Sequence, residues 1–322
     1  MIWKTMAALT AAATAGAAAA ASPSPRELAA TGPQGALAGT LIAPAERQPL
    51  VLIVPGSGPT DRDGNNPGGV TAAPYRLLAE ALAAHGIGSL RIDKRGMFGS
   101  KAAVADPNAV TVTDYVSDVG AWVTAARAAT GARCVWLMGH SEGGLVVLAA
   151  SDKVAHICGV ILLAAPGERF GDVIRKQLQA NPANAPLLPD GLAAIARLEA
   201  GERVDVAGFH PALQGLFNPA VQGFLIDLFA YDPAALAAKV KAPMLIVQGG
   251  KDLQVPTTNG DALYGANPAA RYVVVPAMNH VLKDIAADTP QANMAAYADP
   301  SLPVSAGLVE AVAAFVSNSQ ND

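Results

Sequence analysis

The chain has 322 residues, a net charge of −4 and no basic block, which argues against nucleic acid or an anionic membrane surface as a partner. Its hydrophobic fraction of 52% is inflated by alanine, and its length suits one large α/β domain or two small ones. The two cysteines, Cys134 and Cys158, belong to no Cys-x-x-Cys pair, so they do not read as a zinc or iron–sulfur site.

The first residues stand apart. A single lysine in MIWK precedes an alanine-rich apolar run, and Ala19-Ala20-Ala21 before Ser22 forms a small-residue cleavage pattern. That is how a secretory signal peptide reads, and the run is weakly hydrophobic and short for a membrane span. The expectation is an exported protein, periplasmic or secreted, with no stable membrane anchor after cleavage near Ala21. In such an oxidising compartment Cys134 and Cys158 could pair with each other.

Beyond the leader, a hairpin around residues 37–42 reads as an antiparallel edge. Continuous apolar runs at 50–54, 89–92, 134–138, 160–163, 244–247 and 272–275 read as strands covered by helices on both faces. The helix APYRLLAEALAAHG opens with Pro74 in its first turn and stops at Gly86. TDYVSDVGAWVTAARAATG has Thr113 or Asp114 as its cap and ends at Gly131. GGLVVLAAS follows a sharp turn after Met138, and AGLVEAVAAFVSN lies near the end of the chain. This alternation predicts an α/β fold with a mostly parallel, doubly wound sheet.

Residues 167–241 break the alternation. They are helical in pattern, punctuated by proline, and too long for an ordinary connection. They hold five of the seven phenylalanines. The organisation read from this is a signal peptide over 1–21, an α/β core over 22–166 and 242–322, and a helical lid over 167–241. Phe217 and Phe224 lie seven apart, so on one continuous helix they would share a face and line an apolar substrate pocket. Pro219 between them puts that continuity in question, and the alternative, a lid with a small core of its own, stays open beside it.

The most informative stretch is MGHSEGG. Gly139-His140-Ser141-Glu142-Gly143 fits Gly-x-Ser-x-Gly, directly after the apolar run VWLM and before a helix, the setting of a nucleophile elbow. A nucleophilic serine needs a base, and the base an orienting carboxylate. Asp252 in MLIVQGGKDLQVP and His280 in YVVVPAMNHVLKD each follow a strand, in the order serine, acid, histidine. Asp284 and Asp288 come after the histidine and break that order. His85, His156 and His210 lie on helix, edge and lid, and His140 reads as a packing residue.

The loop after residues 50–54, PGSGPTDRDGN, looks at first like a phosphate cradle. It lacks the closing Gly-Lys-Ser/Thr, and Asp61 and Asp63 would repel phosphate. Asp61, Arg62 and Asp63 read instead as braces for the loop against Lys94 or Arg95.

With these motifs the sequence resembles the α/β-hydrolase superfamily over essentially all of the chain after the leader. RIDKRGMFGS looks like the superfamily's Asp-x-Arg-Gly-x-Gly-x-Ser loop, with Met97-Phe98 where one residue is usual. PGSGPTDRDGN, GHSEGG, GGKDLQVP and MNHVLK together look like a subgroup of lidded bacterial serine esterases. The resemblance implies an α/β-hydrolase fold and a small-molecule ester substrate cleaved through an acyl-enzyme on Ser141, His280 and Asp252. It implies an oxyanion hole from the N–H groups of Glu142 and of Ser57, with Gly58 as the alternative, and no metal or organic cofactor. A peptidase or acyltransferase on the same triad, or a non-catalytic lidded binding protein, is the rival reading. In this fold the strands beginning at Cys134 and Cys158 are neighbours, which leaves a bridge and two free thiols both open, because adjacent parallel strands seldom offer the required side-chain angle.

Overall fold

The strands alternate between two cores, residue by residue. In the run Leu50–Val54, Leu52 and Val54 face one cluster of buried side chains, while Val51 and Ile53 face another. Leu137 and Trp136 divide in the same way one strand over. A period of two with both faces apolar requires a sheet covered on each side. The computed structural model, which describes residues 24–46, 48–287 and 289–319, has that architecture. The leader, residues 1–21, lies outside the described residues.

The first sheet elements are β1 (Arg26–Thr31), β2 (Ala36–Ile42), β3 (Leu50–Val54) and β4 (Gly88–Ile92), with α1 (Pro74–Ala84) between β3 and β4. Then come α2 (Val112–Thr130), β5 (Val135–His140), α3 (Glu142–Ala150) and β6 (Ile157–Leu163). Five helices follow without a strand: α4 (Phe170–Ala180), α5 (Leu188–Glu199), α6 (Pro211–Leu216), α7 (Gln222–Phe229) and α8 (Pro233–Ala237). The chain re-enters the sheet with β7 (Met244–Gly249), α9 (Thr257–Ala266) and β8 (Arg271–Val275), and continues with α10 (Pro290–Ala295) and α11 (Ala306–Asn318).

The strand order is β1-β2-β4-β3-β5-β6-β7-β8. The hairpin β1–β2 is antiparallel, β2 meets β4 antiparallel, and every pair from β4 to β8 is parallel. From β3 the chain first goes out to β4 on one side and then to β5 on the other. The carboxyl ends of β3 and β5 therefore flank a topological switch point, where open α/β sheets place their ligands.

Local chemistry explains the helix limits. Thr111 caps α2 by accepting from the Asp114 N–H while the Asp114 carboxylate accepts from the Thr111 N–H, a reciprocal box, and Gly131 ends the helix at φ 73°. The cap thus sits two residues before Thr113 and three before Asp114, the positions the sequence pattern suggests. Phe217 and Phe224 do not share a helix. Phe217 ends α6, Phe224 belongs to α7, and Asn218 and Pro219 lie between the two helices. Proline has no N–H to continue a helix across the junction.

Cys134 and Cys158 are joined, with their Cα atoms 5.2 Å apart. The ladder between β5 and β6 pairs Val135 with Ile157 but Trp136 with Gly159, so Cys158 is an extra residue in a bulge. A bulge re-aims its side chain, which is how two adjacent parallel strands reach a geometry that regular pairing seldom offers. The bridge closes the amino-terminal ends of these strands. At about 3.3 Å per residue it lies about 20 Å from the opposite end of β5.

Candidate active site

Ser141 follows β5 and precedes α3 with φ 53° and ψ −122°, a strained conformation for a residue with a side chain. The tightness of this turn dictates the residues around it. A Cβ at Gly139 would collide with the backbone of Gly143 and Gly144, and one at Gly143 with the carbonyls of Val54 and Pro55. The strain lifts the serine out of the sheet edge, where it borders a cavity of about 770 Å³.

Asp252 and His280 arrive at the same place from the carboxyl ends of β7 and β8. Asp252 is buried, and its Oδ1 accepts from the N–H groups of Gln254 and Val255, both at 2.8 Å. Its Oδ2 is 2.8 Å from His280 Nδ1. With the Nδ1 proton held there, Nε2 presents a lone pair to the cavity that Ser141 and His280 both line. No hydrogen bond joins Ser141 Oγ to His280, a common state before substrate binds. The loop carrying His280 is anchored by a fully buried Lys283, whose ammonium donates to the Asp299 carbonyl at 2.6 Å and to the Leu302 carbonyl. The competing groups are elsewhere. His85, His156, His210 and Asp284 are exposed, and Asp288 lies outside the described residues.

His140 does more than pack. Its Nδ1 lies 2.8 Å from the Tyr75 hydroxyl and its Nε2 lies 2.8 Å from the His280 carbonyl. Because a carbonyl only accepts, Nε2 carries the proton and Nδ1 accepts from Tyr75. The Tyr75 oxygen in turn accepts from the Gly56 N–H at 3.1 Å. Burial, and then the neighbouring His280, push the His140 imidazole down to about 3, so it stays neutral. Burial likewise pushes the Tyr75 phenol up, keeping its proton for His140. A chain of four groups thus connects the loop after β3 to the backbone of His280. The sequence holds no sign of it, since Tyr75 reads as one more apolar position of an amphipathic helix.

The loop after β3 borders the elbow. A Cβ on Gly56 would stand 3.2 Å from that of Ser141. Ser57 and Gly58 line the cavity, and neither the Ser57 nor the Glu142 N–H has a hydrogen-bond partner among the described residues. Both amides therefore remain available to an oxygen at the reacting carbon. The expected bracing of Asp61, Arg62 and Asp63 takes different partners. Arg62 holds Asp93 at 2.8 Å and Glu27 at 2.6 Å, and Asp63 pairs with Arg91. Arg95 turns the other way, to Asp118 and Asp114, while Lys94 reaches the carbonyl of Gly56. The extra residue Met97-Phe98 is absorbed by a positive φ of 44° at Phe98. Gly99 N–H still reaches Asp93 at 3.1 Å, and Ser100 Oγ still bonds the Asp93 carbonyl at 2.9 Å.

The cavity wall is mostly apolar, with Phe170, Val173, Phe224, Leu225 and Leu228 from the helical insertion. Phe224 also meets Tyr115 edge to face, with ring centroids 6.0 Å apart. Phe217 is not part of this wall. It is fully buried in the larger core with Leu213 and Leu228, because the break at Pro219 turns the two phenylalanines to different neighbours. Among the described residues that line the cavity, Glu142 is the single carboxylate, and Lys94 pairs with it at 3.3 Å.

A family model described as serine aminopeptidase, S33, matches residues 68–190. An esterase of Thermotoga maritima, EstD, is 30% identical over 213 residues, which cover 64% of this chain and 47% of that protein. The chain thus spans about half the length of that relative. Among solved structures, Est1E from Butyrivibrio proteoclasticus superimposes with a TM-score of 0.59 at 17% identity, covering 92% of this chain and 99% of its own. The Pyrococcus furiosus esterase Pf2001 gives a TM-score of 0.60 at 16% identity, covering 93% and 92%. The enol-lactonase from Burkholderia xenovorans gives 0.55 at 17% identity, covering 91% and 100%. With the sheet order and the elbow, these likenesses give the chain the α/β-hydrolase fold, and the matched family and the Thermotoga relative support its place in that superfamily.

Proposed function

We propose that this protein hydrolyses carboxylic esters through an acyl-enzyme on Ser141. The observation that carries the proposal is the strained Ser141 facing a cavity shared with His280, whose Nδ1 is held 2.8 Å from the buried Asp252. Ser141 Oγ attacks the ester carbonyl as its proton passes to His280 Nε2, and Asp252 stabilises the imidazolium that forms. The N–H groups of Ser57 and Glu142 receive the charge that develops on the carbonyl oxygen. His280 then returns the proton to the departing alcohol. Water repeats the sequence in reverse to free the acid and the serine.

An ester is favoured over an aminopeptidase substrate by the charge of the cavity. A free α-ammonium group needs an unpaired carboxylate, and Glu142 already faces Lys94. The apolar wall suits an apolar acyl or alkyl group. Residues 167–241 act as a lid over this cavity, a reading supported by the residues of α4 and α7 in its wall. The bridge between Cys134 and Cys158 supports export to an oxidising compartment.

The test is labelling with a fluorophosphonate probe and turnover of a panel of acyl esters and aminoacyl amides. Wild type labels at Ser141 and cleaves esters in preference to amides. Ser141→Ala keeps the fold and loses turnover by a factor on the order of 10⁶. Activity within tenfold of wild type in that variant sinks the assignment, and a chain that neither labels nor turns over is a binding protein.

A further inference from the structure

We infer that Lys94 is a positioning residue that sets the oxyanion-binding peptide, an inference that rests on Ser141 as the nucleophile. The side chain is almost fully buried, as is that of Glu142. Its ammonium donates to the Gly56 carbonyl at 2.7 Å and to Glu142 Oε1 at 3.3 Å, and it lies 5.4 Å from the centroid of the Tyr115 ring. A buried cation with a partner of opposite charge is weak as a source of stability, and its best-attested use is to specify geometry.

The geometry it specifies follows from the peptide bond. The peptides of the described residues are all trans, so the carbonyl of Gly56 and the N–H of Ser57 point to opposite edges of one plane. Holding the carbonyl on Lys94 fixes the direction of the Ser57 N–H, which has no hydrogen bond of its own among the described residues. The preceding peptide is fixed too, because the Gly56 N–H is bound by Tyr75. Charge adds to direction: an ammonium on the carbonyl oxygen polarises the amide and makes its N–H a stronger donor.

The second contact extends the argument. Glu142 supplies the other N–H donor from its backbone while its side chain pairs with the same ammonium. Lys94 follows β4, Gly56 follows β3 and Glu142 follows β5, so one cation ties together three neighbouring strand ends. It thereby sets the spacing of two donors that lie on separate loops. The position of a developing oxyanion is defined by that spacing, and donors displaced from it lose most of their effect.

The test compares a carboxylic ester with the matching thionoester, whose tetrahedral intermediate carries its charge on sulfur and gains less from N–H donors. The variant is Lys94→Met/Glu142→Gln, which removes the ammonium without leaving a buried carboxylate unpaired. The expected result is a folded protein with KM within threefold of wild type and kcat on the ester down by about 10², the scale of losing one oxyanion donor. Its ester-to-thionoester ratio should fall at least tenfold. A kcat within threefold of wild type, or equal losses on both substrates, overturns the inference. Lys94→Met/Glu142→Met is the second variant, because apolar pairs of similar volume are often tolerated in place of buried ion pairs. Failure of both to fold would also overturn it, marking Lys94 as a folding element. A wild type that does not label at Ser141 defeats the esterase reading itself, whereas a labelled wild type with an unaffected double variant defeats this inference alone.

Discussion

Replacing His140 by glutamine should remove one source of acid sensitivity from the fold. The imidazole is buried between Tyr75 and the carbonyl of His280, and its titration falls from the ordinary 6.5 to about 3. The unfolded chain takes up a proton at this position near pH 6.5, and the folded protein resists it until about pH 3. The depressed value means that the stability contributed by neutral His140 is complete above pH 6.5 and is lost as pH falls towards 3. Each pH unit inside that window is worth about 1.4 kcal/mol. Between about pH 7.5 and about pH 5 the wild type should therefore lose about 2 kcal/mol through this one group. The amide of the His140→Gln variant can still donate to the His280 carbonyl and has no proton to gain, so the substituted side chain contributes nothing to the slope. Urea unfolding of both proteins at both pH values isolates the difference to His140 and its ring neighbour His280, since the titrating groups remote from the substitution cancel. Equal losses in the two proteins would refute the reasoning.

What the sequence reveals here is what depends on local pattern, and what it hides depends on register between distant elements. The parallel strands are legible because helices on both faces force continuous apolar runs, and Ser141, Asp252 and His280 are legible because each follows such a run. Phe217 misleads for a related reason. Seven-residue spacing implies a shared face only if the helix is unbroken, and α6 stops before Pro219. Tyr75 carries no local signature, and the sequence marks Lys94 only as a partner for the acids of the loop, not for the Gly56 carbonyl that it holds. The hydroxyl of Tyr75 meets Gly56 and His140 only because α1 packs across the sheet at one register, and the ammonium of Lys94 finds Gly56 only because β4 lies beside β3. The bridge at Cys158 needed a bulge, for which Gly159 beside it is a weak local cue. Polar links between strand ends are properties of the assembled sheet, and in this protein they surround the elbow.

Four further outcomes test the assembled site. Cys134→Ser/Cys158→Ser should cost about 3 kcal/mol of stability through loop-closure entropy, read by unfolding without reductant, and leave kcat unchanged because the bridge is at the far end of β5. Phe217→Ala should cost about 3–5 kcal/mol as a core cavity without altering acyl preference. Phe224→Ala should instead weaken long acyl esters more than acetyl esters, and the reverse assignment of the two effects would mean the cavity wall is misread. The last outcome separates backbone from side chain at Ser57. If its N–H receives the oxyanion, the hydroxyl is dispensable, and Ser57→Ala should keep most activity. Ser57→Pro deletes the donor and should cost about 3 kcal/mol, roughly 10² in kcat. Proline can also move the loop, so the variant must melt within a few degrees of wild type before its rate is read. Gly58, whose N–H likewise has no hydrogen-bond partner among the described residues, is the alternative donor. Its φ of 68° cannot be adopted by proline, so Gly58→Pro must distort the turn whichever amide binds the oxyanion. Ser57→Pro therefore carries the decision. An alanine as damaging as the proline would show that the hydroxyl matters, and a folded proline variant with normal turnover would remove this loop from the oxyanion hole.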